Sequence, residues 1–187
     1  HPTLSASAVQ NAITNSAAPL AEGAKVSATS TFAATSTAHG ITVAVHRDAS
    51  QGVSITTASG KSITVNLPQD ASRGQAELSG STVAYSTGSA AASAIHLAKD
   101  GGAQMLSLLA NGTAPTRYDY AVGLPQGSAL VADAATGGVR VESDGEVILT
   151  VDKPWAVDGH GQAVPTHYEV DGTTITQVID HTSGKFT

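Results

Sequence analysis

The 187-residue sequence contains no cysteine, few charged residues and few aromatic residues. Without cysteine the chain can form neither a disulfide nor a thiolate metal site, so its core alone has to stabilise the fold. A single domain of this length buries roughly 70% of its unfolded surface, which is enough for such a core. Charged residues make up only 13% of the chain, while serine, threonine and glycine are abundant. This composition is typical of exported β-proteins and predicts a secreted protein.

Positive charge is especially scarce. The net charge is −6, and the nine Lys and Arg residues form no run. Nucleic-acid binding needs clustered positive charge that releases counterions, and an anionic membrane surface attracts the same kind of cluster. No apolar run approaches the roughly 20 residues that span a bilayer. The sequence therefore predicts an acidic protein that neither binds nucleic acid nor inserts into a membrane.

Helical periodicity is confined to the N-terminal segment. Val9, Ala12 and Ile13 recur at helical spacing, and Pro19 ends the pattern. The apolar face is thin, which predicts a short helix that packs loosely on the body or extends from it. We therefore expect an N-terminal helix or arm over residues 1–22 and a β domain over residues 23–187, with a candidate sub-boundary near residues 88–92.

Most of the remaining chain alternates apolar and polar residues with period two, and turn residues interrupt the alternation. Tyr118, Tyr120 and Val122 are predicted to face inward on one such strand, and residues 105–109 are apolar on both faces, which predicts a central strand covered on both sides. About a dozen short strands with frequent turn signals indicate a mainly β fold, an antiparallel β-sandwich or jelly-roll-like body with a short N-terminal helix. An α/β nucleotide-binding fold is excluded.

The clearest turn of the chain lies near its C-terminal end. Residues 166–170 and 173–179 alternate, and Asp171-Gly172 between them suits a two-residue hairpin turn whose central residues need positive φ. Pairing around this turn gives a specific register, with Tyr168 opposite Ile175 on one face and His167 opposite Thr176 on the other.

Trp155 is the only tryptophan of the chain. Because Pro154 fixes its backbone and apolar residues follow it, we expect a buried stability residue whose replacement by Ala costs roughly 3 to 5 kcal/mol. Residues 158–161, Asp-Gly-His-Gly, fit a tight turn with two positive-φ glycines better than a calcium loop, since the alternating carboxylates of such a loop are missing. His160 is then exposed at the tip.

Blocks in the last third resemble a known set of sequences. They are residues 114–120, 124–127, 154–172 and 178–181. The third block contains the pattern Pro-Trp-Ala-x-Asp-x-x-Gly-x-x-Val-Pro-Thr-x-Tyr and is the most specific of them. Together they resemble an uncharacterised family of secreted actinobacterial proteins, and the resemblance covers about residues 111–187. It implies an exported β-module to which no catalytic residue is assigned.

Candidate metal ligands are dispersed along the chain. His167 and Glu169 form an i, i+2 pair on one strand face, and Asp180 and His181 follow the partner strand. Together these two imidazoles and two carboxylates would suit zinc or another divalent ion. No His-x-His or His-Glu-x-x-His spacing supports such a site, so the more ordinary interpretation is a set of separate surface residues.

His1 is a further metal candidate. An N-terminal histidine can chelate copper through its amine and imidazole when a second histidine completes the site, as in secreted copper-dependent polysaccharide oxidases. Pro2 disfavours that backbone geometry, and no substrate face rich in aromatic residues is evident. We therefore assign no cofactor and keep a divalent metal as the alternative.

Other chemistry receives little support from the sequence. His46 and His96, like His167, fall on the polar phase of alternating strands, which predicts solvent-side imidazoles. No serine lies in the Gly-x-Ser-x-Gly turn that exposes a nucleophile. The sequence thus predicts a secreted, non-catalytic β-module that binds or scaffolds a protein or glycan at the cell envelope, or accompanies a secreted effector. The alternative is a secreted metal-dependent hydrolase or copper enzyme whose site is built from dispersed His and Asp residues.

Overall fold

The structure is a computed structural model that describes residues 4–68, 76–87 and 90–182. Within these residues the chain forms one α-helix, one 3-10 helix (Ala49–Gln51) and fourteen β-strands. The helix and strands are α1 (Ala6–Thr14), β1 (Phe32–Ala38), β2 (Ile41–His46), β3 (Val53–Thr56), β4 (Ser62–Val65), β5 (Ala76–Ser79), β6 (Thr82–Tyr85), β7 (Ala91–Leu97), β8 (Ala103–Leu109), β9 (Arg117–Gly123), β10 (Ser128–Ala132), β11 (Val139–Ser143), β12 (Glu146–Val151), β13 (Thr166–Asp171) and β14 (Thr174–Ile179).

The described strands form three antiparallel sheets. A seven-stranded sheet has the order β1-β2-β3-β4-β9-β14-β13, a four-stranded sheet the order β5-β6-β7-β8, and a three-stranded sheet the order β10-β11-β12. The predicted fold class is confirmed: the protein is mainly β, an antiparallel β-sandwich with one short N-terminal helix. Consecutive strands form hairpins such as β5-β6, β7-β8 and β11-β12 around turn residues that interrupt the alternation, at residues 80–81, 98–102 and 144–145.

The seven-stranded sheet is one layer of the sandwich, and the two smaller sheets together form the other. Its β1 to β3 half packs on the four-stranded sheet, where Val45 and Val53 meet Tyr85, Ile95 and Leu97. Its other half packs on the three-stranded sheet through a second cluster, which contains Ile63, Val122, Ile175, Val139 and Val141. Tyr118, Tyr120 and Val122 are buried while their neighbours on β9 are exposed, as the alternation predicts.

Helix α1 is docked firmly on the β-sandwich. Ser5 caps its first turn, and Val9 is fully buried against β6 and β8. The amide of Gln10 is also buried, and its Nε2 donates to the carbonyl oxygens of Glu77 (3.0 Å) and Thr82 (2.8 Å). The prediction of loose packing is wrong, because this glutamine satisfies its polar group against backbone and thereby widens the buried face of the helix.

The segment after α1 is held by a buried histidine. His96 Nε2 lies 2.7 Å from the carbonyl oxygen of Ala21, so it carries the proton, and Nδ1 accepts from the Thr82 hydroxyl at 2.8 Å. The prediction of a solvent-side imidazole is therefore wrong for His96. His46 is half-buried beside the Phe32 ring, and the side chain of His167 is exposed.

The apolar run at residues 105–109 lies in β8, which is an edge strand and not a central one. Both of its faces are covered all the same, because Leu106 packs with α1 on one side while Met105 and Leu109 approach the tyrosines of β9 on the other. Among the described strands, those buried at every position are β6 and β7. Residues 88 and 89 of the candidate sub-boundary lie outside the described residues, and Ala91 already belongs to β7.

The β13-β14 hairpin forms with a register two positions away from the predicted one. Asp171 pairs with Thr174 and Tyr168 with Gln177, so Gly172 and Thr173 occupy the turn. Gly172 has φ 59° and Thr173 does not have positive φ, which is the arrangement of a type II′ turn. Because the register is shifted by an even number of residues, each side chain remains on the face of the sheet on which it was predicted.

We expect Gly172→Val to destabilise the protein while Asp171→Asn has little effect. A β-branched residue in the left-handed region costs roughly 1 to 2 kcal/mol, which corresponds to a melting temperature lower by about 2 to 8 °C for a chain of this size. Asp171 is exposed and ends its strand without needing positive φ. Thermal unfolding of the two variants tests the turn assignment, and equal melting temperatures would contradict it.

Candidate functional site

A cavity of about 1140 Å³ lies between the two layers of the sandwich. Residues of the seven-stranded sheet form one wall, and helix α1, β8 and the three-stranded sheet form the others. The edge strands β8 and β12 both line it, one from each of the smaller sheets. The cavity therefore lies where the second layer is interrupted.

Aliphatic side chains dominate the walls. They come from the inward positions of several strands, and many of them are only half-buried although they lie between the layers. Examples are Ile41, Val65, Met105, Leu109 and Leu149. Close-packed protein interiors rarely leave voids larger than a water molecule, so these residues are not simply core.

The volume of the cavity has an energetic consequence. At about 24 cal/mol per Å³, a dry void of this size would cost on the order of 27 kcal/mol. That cost exceeds the roughly 5 to 15 kcal/mol of net stability that a domain has. The cavity is therefore not a dry void: solvent reaches it through its exposed mouth, and an apolar molecule that displaces water from the aliphatic walls gains about 25 cal/mol per Å² of buried surface.

A small number of uncharged polar groups interrupt the aliphatic walls. The hydroxyls of the lining residues Ser107 and Tyr120 hydrogen-bond to each other at 3.2 Å, and Tyr168 and Gln177 lie opposite each other on β13 and β14. Burial, with smaller effects of Tyr120 and Asp152, raises the pKa of Tyr168 to about 12. Burial also raises the pKa of Tyr120. Both phenols are therefore neutral at physiological pH.

The exposed lining residues mark the mouth of the cavity. They cluster in residues 15–17 and residues 152–161, and these two segments approach each other, since a Cβ on Gly161 would lie 3.2 Å from the Ala17 Cβ. The Asp158 carboxylate shapes the second segment by accepting from the backbone N–H groups of His160 and Gln162, both at 2.9 Å. His160 is exposed as predicted, but only the second glycine of this turn has positive φ.

Trp155 lies at this mouth and is 36% exposed, so it is not the buried residue that its neighbours predict, while its contribution to stability stays a prediction. Its neighbours Asp152 and Lys153 are also exposed. The indole covers part of the apolar wall while its remaining surface faces solvent. An amphipathic aromatic ring in this position suits contact with a ligand.

We expect Trp155→Ala to lower the free energy of unfolding by only roughly 1 to 2 kcal/mol, compared with the 3 to 5 kcal/mol of a fully buried tryptophan. The reason is that the folded protein already leaves much of the ring in solvent. Chemical denaturation followed by circular dichroism measures the difference. A loss above about 3 kcal/mol would place Trp155 in the core.

The predicted metal ligands are only partly brought together. His167 Nε2 lies 3.4 Å from Glu169 Oε1 on the exposed face of β13, but Arg117 donates to Glu169 Oε2 at 2.6 Å. Asp180 accepts from the Thr182 hydroxyl at 2.7 Å, and the buried His181 donates from Nε2 to the carbonyl oxygen of Ala114 at 2.9 Å. His1 lies outside the described residues.

Within the described ranges, no three His, Asp or Glu side chains are close enough to hold a metal ion. The hydrogen bond from Arg117 is the largest cause that holds the pKa of Glu169 below its ordinary value. The Thr182 hydroxyl likewise lowers the pKa of Asp180. Both carboxylates are thus engaged by neighbours within the protein.

We expect Arg117→Gln to raise the pKa of Glu169 towards its ordinary value, because the substitution removes the charged donor that stabilises the ionised carboxylate. An NMR titration of the Glu169 side-chain carboxyl measures this pKa directly. Thr182→Ala is a suitable control, since it should raise the pKa of Asp180 and leave Glu169 unchanged. An unaltered Glu169 pKa in Arg117→Gln would contradict the pairing.

Sequence reasoning missed the cavity and the polar residues that face it. The alternation placed Tyr120 inward and Tyr168 on the same face of its hairpin as Ile175, but nothing in the pattern distinguishes an inward residue in a packed core from one that lines a cavity. In the described part of the chain, no helix has the length and apolar character needed to cross a bilayer. Comparison of the chain with models of known protein families, with curated proteins and with solved structures found no match in any of the three.

Proposed function

We propose that this protein is a secreted, non-catalytic binding module whose ligand is an apolar or amphiphilic molecule held in the cavity between the sheets. The observation on which this proposal rests is the cavity of about 1140 Å³ with aliphatic walls. Ligand sites are typically concave, mostly apolar and provided with a few polar groups that orient the ligand. The cavity has each of these properties.

The tyrosines that line the cavity suit ligand binding rather than proton transfer. General acid and base catalysis needs groups whose pKa lies near the operating pH. The tyrosines that face the interior have raised pKa values, so they keep their protons. They can donate and accept hydrogen bonds without exchanging protons, which is what orientation of a bound molecule requires.

The residues that line the cavity also indicate which chemical class of ligand it binds. A glycan presents hydroxyls on all sides and needs polar partners along the whole site, whereas here most of the wall is aliphatic. An extended hydrocarbon chain makes more favourable contacts with an aliphatic wall than a glycan does. The low charge and the absence of cysteine favour a secreted protein, and a module at the cell envelope would meet amphiphiles with long hydrocarbon chains.

The single tryptophan provides a test of the proposal. Trp155 lines the mouth of the cavity, so a bound ligand should change its surroundings. Titration with 1-monododecanoylglycerol below its micelle concentration is expected to shift Trp emission to shorter wavelength with saturation at one ligand per chain. Binding should also raise the melting temperature, because the ligand stabilises only the folded state.

The variant Trp155→Phe is a control that distinguishes loss of the fluorescence signal from loss of ligand binding. Trp155→Phe should lose the emission change while calorimetry still detects the ligand, since most of the cavity remains. Absence of saturable binding by both methods, for twelve-carbon alcohols, acids and amines as well as the acylglycerol, would refute the proposal.

A further inference from the structure

The cavity contains a defined polar cluster, formed by Ser107, Tyr120, Tyr168 and Gln177. These residues come from β8, β9, β13 and β14, and the hydrogen bond between Ser107 and Tyr120 links the two layers. Because Gln177 pairs with Tyr168 in the sheet register, their side chains are neighbours on the inward face. The cluster lies within a wall that is otherwise aliphatic, so it is the natural position for the polar group of a ligand.

Two members of the polar cluster have unused hydrogen-bonding capacity towards the cavity. The amide nitrogen of Gln177 donates to Thr166 Oγ1 at 3.1 Å and to the Trp155 carbonyl oxygen at 3.4 Å, but no described residue donates to its Oε1. The Tyr168 hydroxyl likewise has no hydrogen-bond partner among the described residues. Gln177 can therefore accept from a ligand, and Tyr168 can either donate or accept.

Charge around the cavity disfavours an ionised ligand. Among the described lining residues Lys153 is the only Lys or Arg, and it is exposed at the mouth. The lining carboxylates Asp100, Asp152 and Asp158, and the lining histidines His160 and His181, are not part of the polar cluster. A buried carboxylate would find no cation there, and a buried ammonium would find no carboxylate within the cluster.

We propose that the cavity selects long-chain amphiphiles whose polar group is uncharged and both donates and accepts hydrogen bonds, such as a fatty alcohol, a monoacylglycerol or a fatty amide. The polar group lies against Tyr168 and Gln177, and the chain lies along the aliphatic walls. This inference rests on the proposed function and adds the class of ligand to it.

A matched series of twelve-carbon ligands tests the selection. Near neutral pH, 1-monododecanoylglycerol and dodecan-1-ol are uncharged, dodecanoic acid is anionic and dodecylamine is cationic. We expect the two uncharged ligands to bind at least about tenfold more tightly than either ion, because an ion must be buried without a partner. Trp155 emission or calorimetry measures each affinity below the micelle concentration.

A variant identifies the residue responsible. Tyr168→Phe should weaken binding of 1-monododecanoylglycerol by about two- to tenfold, the effect of one neutral hydrogen bond, and leave binding of 1-bromododecane unchanged. Tyr118→Phe is the matched control, because Tyr118 is a buried tyrosine of the same sheet that does not line the cavity. It should leave both affinities unchanged.

The outcomes distinguish this inference from the proposed function. If the acid or the amine binds as tightly as the uncharged ligands, or if Tyr168→Phe affects 1-bromododecane as much as the acylglycerol, the selection is wrong while ligand binding itself stands. If no member of the series binds, both the inference and the proposed function are wrong.

Discussion

Replacing Val65 and Leu149 together by Phe is expected to weaken binding of 1-monododecanoylglycerol by at least roughly tenfold while the fold is retained. Val65 lies on β4 and Leu149 on β12, so the two side chains line the cavity from different layers. Both are half-buried because the space beside them is not filled by protein. The added rings therefore occupy the volume that the ligand needs, and they do so without compressing a packed core.

Val147→Phe is the matched control for this double variant. Val147 lies on the same strand as Leu149 but is 52% exposed and does not line the cavity. Its replacement should leave ligand affinity unchanged. The melting temperature of the double variant should equal or exceed that of the parent, since filled space adds contacts. Unchanged affinity in a folded double variant would contradict the assignment of the cavity as the binding site.

Tyr85→Ala is expected to cause the largest loss of stability, roughly 3 to 5 kcal/mol, or a melting temperature lower by about 6 to 20 °C. Tyr85 is fully buried between β1 to β3 and the four-stranded sheet. Its hydroxyl donates to the carbonyl oxygen of His46 at 2.6 Å. Truncation removes the ring from a closely packed core and leaves that carbonyl without its partner.

Tyr85→Phe separates these two contributions. It keeps the ring and removes only the hydrogen bond, so a loss of about 1 to 3 kcal/mol is expected from the unsatisfied carbonyl. Denaturant unfolding of both variants measures the free energies. A loss below about 1 kcal/mol for Tyr85→Ala would mean that the core of this half of the sandwich is not packed as described.

The alternation of residues predicted the strands, their inward faces and most hairpins, because burial of one face of a strand leaves a period of two. The order of the strands within the sheets could be predicted less well. Residues 105–109 were correctly expected to be covered on both sides, yet they form the edge strand β8. A pattern indicates that a side chain is covered but not whether a neighbouring strand, a helix or a cavity covers it.

Two buried polar residues show a second limit of the sequence. His96 was placed on the polar face of its strand and Gln10 was not among the apolar residues of the predicted helix, but each is buried because backbone carbonyl groups accept its hydrogen bonds. Those carbonyls become available only after distant parts of the chain come together. The hairpin register illustrates the same point on a smaller scale: the predicted Asp171-Gly172 turn is wrong, because Gly172 supplies its positive φ in a Gly172-Thr173 turn instead.

The cavity could not be predicted for a related reason. The strand residues that line the cavity follow the same period of two as residues of a packed core. The cavity exists because two separate smaller sheets cover the seven-stranded sheet. Trp155 was expected in the core on the basis of its neighbours, and it lies instead at the mouth of this space. The position of a gap between sheets depends on how all the described strands assemble.

Isoleucine methyl NMR tests the central claim most directly, because the described isoleucines lie both inside and outside the cavity. Titration with 1-monododecanoylglycerol should shift the methyl signals of the lining isoleucines and leave those of the buried Ile95 and of Ile148, which do not line it, close to their original positions. Equal perturbation of all these methyl groups, or no perturbation at saturating ligand, would contradict the account. The signals expected to move are those of Ile13, Ile41, Ile55, Ile63, Ile175 and Ile179.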